Sequence, residues 1–235
     1  MNNSFKEQWE KSYKNKDNFV FYPNEEIIRF TSKYIRKRIG WDEFVDVHNF
    51  SDNPKVLDLG CGIGRHIIYG LEMKLDMYGI DLSEIAINFA RKWAKQNGMV
   101  KVNEKIVQGD ICILPWKDHF FNYVVSHGVL DSMRFENAKV AVQEIARVLV
   151  KDGLFYCDLI SGDHSSKSKG YCGEEIVATE HEKGTVQSYF NLSKIEKLFS
   201  DFFEIVECKH IKYENCLAPV PSYYSRYHIV LKRKY

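Results

Sequence analysis

The sequence predicts an α/β protein, a mostly parallel sheet with helices on both faces, behind a helical N-terminal segment. Three observations carry this. Short apolar runs alternate with segments of helical period between residues 55 and 160. The first run ends in a glycine-rich turn, VLDLGCGIGRH at 56–66. The first three runs each close on a carboxylate, Asp58, Asp81 and Asp110. Right-handed crossovers put the C-terminal ends of parallel strands on one edge, so these carboxylates converge there.

Bulk properties narrow the class. The 235 residues suit one large domain or a domain with a small cap, and 45% apolar with 28% charged residues reads as a globular chain. A net charge of +1 gives no reason to expect nucleic acid as a partner. No apolar stretch approaches the roughly 18 residues of a membrane helix, and MNNSFKEQWEKSYKNK has no apolar signal core. A cytoplasmic protein is therefore expected. Six scattered cysteines without a C-x-x-C pair predict reduced thiols and no metal site.

The elements follow in order. Residues 1–50 are expected to form a helical cap or lid, and 51–235 the main domain. Trp9, Tyr13, Phe19, Phe21 and Tyr22 lie among charges near the start. NEEIIRFTSKYIRKRIG, 24–40, has apolar residues at helical spacing, acids at its start and bases at its end, as a helix dipole favours. KVLDL and MYGID are buried strands. LSEIAINFARKWAKQNG is a helix with Ser83 as cap and Ile85, Phe89, Ala90, Trp93 and Ala94 on one face. EKIVQGD and NYVVSHG give two more strands. A helix with Ala138, Ala141, Val142, Ile145, Val148 and Leu149 on one stripe precedes LFYCDLI, a fifth strand. Residues 161–175 read as a loop, and GTVQSYF as an extra strand. Ser193 with Glu196 fits a capping box. FFEIVECKHIKY and RYHIVLKRK, too close for a crossover helix, should pair antiparallel.

The glycine spacing selects among ligands. Gly60-x-Gly62-x-Gly64 is one residue short of the dinucleotide fingerprint, and no phosphate-loop lysine follows. Asp58, two residues before the first glycine, opposes a pyrophosphate and favours a ligand with a positive group. Asp81 suits the two hydroxyls of a ribose. Asp110 beside Ile111 suits adenine, with its amino donor and apolar face. Three converging carboxylates are costly as mere structure.

VLDLGCGIGRH, YGIDLS, QGDI, NYVVSHGVLD and RVLVKDGLFY together resemble the successive motifs of class I S-adenosylmethionine-dependent methyltransferases. The resemblance covers residues 55–160, and one departure from the family is LVKDGLF, which stands where a Pro-Gly turn is common. It implies a Rossmann-like seven-stranded sheet with an antiparallel C-terminal strand. It implies S-adenosylmethionine as cofactor, held by Asp58, Gly60, Cys61, Gly62, Arg65, Asp81, Leu82, Asp110, Ile111, Ser126 and His127. Arg65 would meet the methionine carboxylate, and Cys61 is a small loop filler.

Methyl transfer needs a base only when the acceptor must lose a proton. His127 and Asp131 are the candidates, with Asp131 alternatively orienting His127 or capping the next helix. Arg226 and His228 read as surface or edge residues. Tyr13, Phe19, Tyr22, Lys167 and Lys169 are candidate acceptor contacts. A small-molecule acceptor, methylated on oxygen or nitrogen, is the leading expectation. SHGVL stands where nucleic-acid amino-methylating enzymes carry Asn/Asp-Pro-Pro-aromatic, which disfavours that class. A protein acceptor, or a cofactor-binding regulator without catalysis, is the alternative.

Overall fold

The computed structural model describes residues 3–50, 52–217, 219, 220 and 222–235. In chain order the elements are α1 (Asn3–Asn15), α2 (Glu25–Tyr34), β1 (Arg36–Arg38), β2 (Phe44–Asp46), β3 (Lys55–Leu59), α3 (Arg65–Glu72), β4 (Asp76–Asp81), α4 (Glu84–Gln96) and α5 (Val102–Lys105). They continue with β5 (Ile106–Gln108), β6 (Phe121–Ser126), α6 (Phe135–Val148), β7 (Leu149–Ile160), β8 (Glu174–Ile176), β9 (Val186–Ser188), α7 (Leu192–Phe199), β10 (Phe203–Asn215) and β11 (Ser222–Arg233). Seven strands form the main sheet in the order β10-β11-β7-β6-β3-β4-β5. β3 to β7 pair in parallel, and β11 enters antiparallel to both β7 and β10. This is the Rossmann-like sheet that the sequence predicts. Strand order reverses between β3 and β6, and at such a point the diverging crossovers leave a crevice at the strand ends.

Strand alternation builds two cores. Leu57 and Leu59 of β3 face a layer with Ala141, Ile145, Phe155 and Phe199. Val56 faces the opposite layer with Ile27, Phe30, Ile67, Ile87 and Tyr156. The period of two puts Asp58 on Val56's face, toward α3. α2 thus belongs to the core of the sheet, whereas α1 packs on α4.

Several expectations need correction. The helix predicted over 24–40 stops at Tyr34. The carbonyl of Ile35 accepts N–H bonds from Val47 and His48, and β1 pairs with β2 instead. Arg36, expected to complement the helix dipole, donates to the carbonyls of Met73 and Lys74 and pairs with Asp46. On α4, Ser83 is the cap as predicted, its hydroxyl accepting from the Ala86 N–H at 3.1 Å. The buried face there is Ala86, Ile87, Ala90 and Ala94, with Ile85 exposed. The cap of α7 is Asn191, not Ser193; its side chain accepts from the Lys194 N–H at 2.9 Å. The α6 stripe is buried as predicted. β9 pairs only with β8, outside the main sheet. Among the described residues no helix is long and apolar enough to cross a membrane.

Candidate functional site

The glycine turn is tied to the end of β4. The Cys61 N–H donates to the Ile80 carbonyl, and the Gly62 N–H donates to Asp81 Oδ2, both at 2.9 Å. Asp81 Oδ1 accepts the Ser83 N–H at 2.9 Å. Burial pushes the Asp81 carboxyl up to about 6, against the two N–H donors that favour its charge. Gly62 has φ +53°, and a Cβ there would lie 2.6 Å from the Tyr13 hydroxyl oxygen. Gly64, at φ +95°, lets α3 approach Ala90 of α4, where a Cβ would be 3.1 Å away.

A cavity of about 450 Å³ opens over this edge. Gly60, Cys61, Gly62, Arg65, Asp81, Leu82, Asp110, Ile111 and His127 line it. Of the sequence-predicted cofactor residues, Asp58 and Ser126 do not. Asp58 lies beneath the turn, 1% exposed, with Oδ1 at 3.4 Å from His66 Nδ1 and Oδ2 unpartnered. The Asn24 N–H donates to His66 Nε2, so the ring proton sits on Nδ1 and faces Asp58. Asp110 Oδ1 accepts the Cys112 N–H at 2.9 Å.

The N-terminal aromatics divide. Trp9 and Tyr13 of α1 line the cavity. Phe19 and Phe21 stack edge-on against Phe89 and Trp93 of α4. Tyr22 points away, 82% exposed, though its carbonyl accepts from Arg65 at 3.4 Å. Glu10 fixes the helix in place, accepting from the Ser83 hydroxyl at 2.9 Å and the Glu84 N–H at 2.5 Å. Lys167 is away from the cavity, paired with Glu175 at 2.5 Å over the rings of Tyr171 and Tyr189. Lys169 is exposed and does not line the cavity.

The other wall is built from charges. Asp131 does not cap α6, whose N-cap is Arg134. Its Oδ2 accepts from the Ile160 N–H at 2.8 Å and from Arg226 Nη2 at 2.5 Å. Arg226 Nε donates to Asp158 Oδ2 at 2.6 Å, and the Gly128 N–H donates to Asp158 Oδ1 at 2.7 Å. Arg226 is thus a cavity residue, and His228 is 5% exposed with Nδ1 at 2.9 Å from the Tyr156 hydroxyl; neither is a surface residue. Burial alone would raise Asp158, but Arg226 and His127 hold it well below the usual carboxylate range. Burial raises Asp131. Burial also pushes His127 down to about 4. Arg65 Nη2 stands 3.1 Å from His127 Nδ1, and Asn24 Nδ2 stands 2.8 Å from Nε2. A neutral ring accepts at only one of these nitrogens, and Nε2 also stands 3.5 Å from Asp158 Oδ2.

The family model described as a methyltransferase domain matches residues 50–209. The chain belongs to this family. An uncharacterized protein of Haemophilus influenzae is 32% identical over 124 residues, 50% of this chain and 48% of its own. A Drosophila pseudoobscura pseudoobscura eEF1A lysine and N-terminal methyltransferase homolog is 28% identical over 150 residues, 57% of this chain and 22% of its own. The chain spans less than half the length of these relatives. Among solved structures, an S-adenosylmethionine-dependent methyltransferase of Methanosarcina mazei superposes with a TM-score of 0.59 at 17% identity, over 79% of this chain and 94% of its own.

S-adenosylmethionine is the cofactor of this methyltransferase domain, and the residues fit it. Asp81 and Asp110 keep acceptor capacity for hydroxyl and amino donors. Arg65 is the matching cation: burial lowers its pKa, and among the described residues no carboxylate pairs with it. When bound, the cofactor supplies an electrophilic methyl on a sulfonium. Sequence reasoning missed Arg226, Asp158, Glu10 and Asn24. The signal for Asp158 was a carboxylate inside the apolar run LFYCDLI; Glu10 and Asn24 carry none that is local.

Proposed function

We propose that this methyltransferase acts on a small molecule, at a protic oxygen or nitrogen, by in-line transfer. The observation that carries the reading is the cover that α1 places over part of the cavity. Its volume is within the range of small-ligand pockets. α1 lies over the glycine turn with Tyr13 only 8% exposed. Gln8 of the same helix comes close enough to Gly184 that a Cβ there would meet its amide at 3.0 Å. The helix thus bridges α4 and the segment before β9, and residues 3–22 act as a lid over cofactor and acceptor.

In this reading Asp81 takes the ribose, Asp110 and Ile111 the adenine, and Arg65 the methionine carboxylate. Asp58 acts from beneath, orienting His66 and supplying negative charge for the cationic donor. His127, held neutral by burial and with its one acceptor nitrogen already facing a donor, shapes the wall rather than taking a proton. A protein acceptor is the second reading, favoured by the name of the Drosophila relative. The test is transfer of labelled methyl from the donor into a small-molecule cell extract and, separately, into the protein fraction. Label in small molecules supports the reading; label confined to protein overturns it. Tight binding of S-adenosylhomocysteine with no transfer to either would instead mark a regulator.

A further inference from the structure

The wall opposite the glycine turn holds one buried acceptor that nothing fills. Asp158 has a partner on each oxygen: the Gly128 N–H on Oδ1 and Arg226 on Oδ2, with His127 Nε2 at 3.5 Å. Asp131 is saturated at one oxygen only. Oδ2 takes Arg226 and the Ile160 N–H, while Oδ1 is buried without a partner. The residue is 1% exposed and lines the cavity. A buried polar atom left unpaired costs about 1–3 kcal/mol, and a ligand donor would remove that cost.

Resting on the small-molecule reading above, we propose that Asp131 Oδ1 accepts the proton of a hydroxyl on the methyl acceptor, with Arg226 as its positioning residue. As the C–O bond forms, the C–S bond breaks and its electron pair returns to sulfur, leaving a neutral thioether. The hydroxyl proton passes to Asp131 Oδ1. The products are a methyl ether, S-adenosylhomocysteine and a protonated Asp131. A hydroxyl suits the place better than an ammonium, because the Arg226 guanidinium occupies the same wall. Asp158 keeps the fixed negative charge that pairs with Arg226, which frees Asp131 to exchange its proton.

The groups that face Asp131 are Arg226 of β11 and Asp158 and Cys157 of β7; the β9 side offers Gln187 and Ser188, both neutral, to its backbone carbonyl. Burial raises the Asp131 carboxyl, so it can hold a proton at higher pH than an ordinary aspartate.

Two measurements test this on the full chain. Carboxyl-labelled aspartate NMR of the S-adenosylhomocysteine complex, assigned with Asp131→Asn, should show Asp131 titrating above the usual range and Asp158 staying ionised. An Asp131 that titrates at or below the usual range overturns the proposal without touching the methyltransferase reading. The second probe is methyl-deuterated donor with a small-molecule cell extract, read by mass spectrometry. The expected product is an O-linked methyl. Asp131→Asn should lower its formation about 10²–10⁴-fold with S-adenosylhomocysteine affinity unchanged. Arg226→Gln should lower kcat and move the acid limb of the pH profile upward, and Arg226→Lys should restore part of both. An N- or C-linked product, or Asp131→Asn within tenfold of the native rate, overturns it. An absence of labelled small molecules defeats the small-molecule reading, and this proposal with it.

Discussion

The two halves of the sheet edge are built by different means. The β3–β4–β5 half is assembled from short-range pieces: a turn, the two N–H donors on Asp81, and a carboxylate at each successive strand end. The β6–β7–β11 half is assembled from side chains far apart in sequence. Arg226 meets Asp131 across 95 positions and Asp158 across 68, and Asn24 meets His127 across 103. In the proposed reading the first half takes the cofactor, and the second faces the methyl acceptor. A split of this kind predicts that variants on one half change cofactor affinity, and variants on the other change turnover.

The largest expected break is at Gly62. Alanine there must hold φ near +53° and displace the Tyr13 hydroxyl from 2.6 Å. The backbone conformation alone costs about 1–2 kcal/mol, and moving Tyr13 opens the lid. Gly62→Ala should lower the urea midpoint and abolish measurable S-adenosylhomocysteine binding by calorimetry. Retained affinity would mean that the turn is spacing, not cradle. Next comes Asp81→Ala, which should weaken cofactor affinity by about 1–3 kcal/mol through lost hydrogen bonds to a charged group. Turnover at saturating donor should change far less. A variant with native affinity and poor turnover would blur the division between the halves.

The pH dependence sharpens the same contrast. The Asp81 carboxyl rises from 3.8 to about 6 on folding, chiefly through burial. The folded apoprotein therefore binds this proton more tightly than the unfolded chain. Its stabilising contribution, on the order of 3 kcal/mol at most, is full below the unfolded value and is lost as pH rises through about 6. With Asp81 taking the ribose as proposed, its hydroxyls donate to the charged form, so cofactor binding should release a proton. S-adenosylhomocysteine affinity should fall as pH drops below about 6, and Asp81→Asn should flatten that dependence. His127, pushed down to about 4 by burial, adds no step there. His127→Asn should accordingly cost less turnover than Asp131→Asn; equal losses would return the proton to the imidazole.

What the sequence made legible follows the same division. The alternation of strand and helix, the Ser83 cap and the carboxylates Asp81 and Asp110 were readable because period, spacing and strand ends are local signals. Arg226 was misread as an edge residue because nothing local in SYYSRYHIV shows that β11 inserts beside β7 and carries the guanidinium to Asp158. The α2 boundary failed for a similar reason. Residues 35–40 carry a helical pattern, yet the Arg36 contacts with Met73 and Lys74 and the β1–β2 pairing outweigh it. Tyr22 and Lys167 were reasonable lid and acceptor contacts by composition, but Lys167 is already satisfied by Glu175.

The smallest expected effect concerns α1, proposed above as a lid. Glu10 reaches from α1 to the first turn of α4, where Ser83 already caps the Ala86 N–H. It takes the Glu84 N–H and, at 3.3 Å, the Ile85 N–H, donors that the helix itself cannot satisfy. Glu10→Ala should therefore cost about 1 kcal/mol, as the loss of a helix cap does. The cost should appear locally. Hydrogen exchange should speed up at the Glu84 and Ile85 amides and along α1, while β3 and β6 stay protected. If α1 is a lid, the same variant should quicken S-adenosylhomocysteine release more than it weakens the fold. A release rate equal to the native one would make α1 a packing helix, and the cover that points to a small acceptor would then need another source.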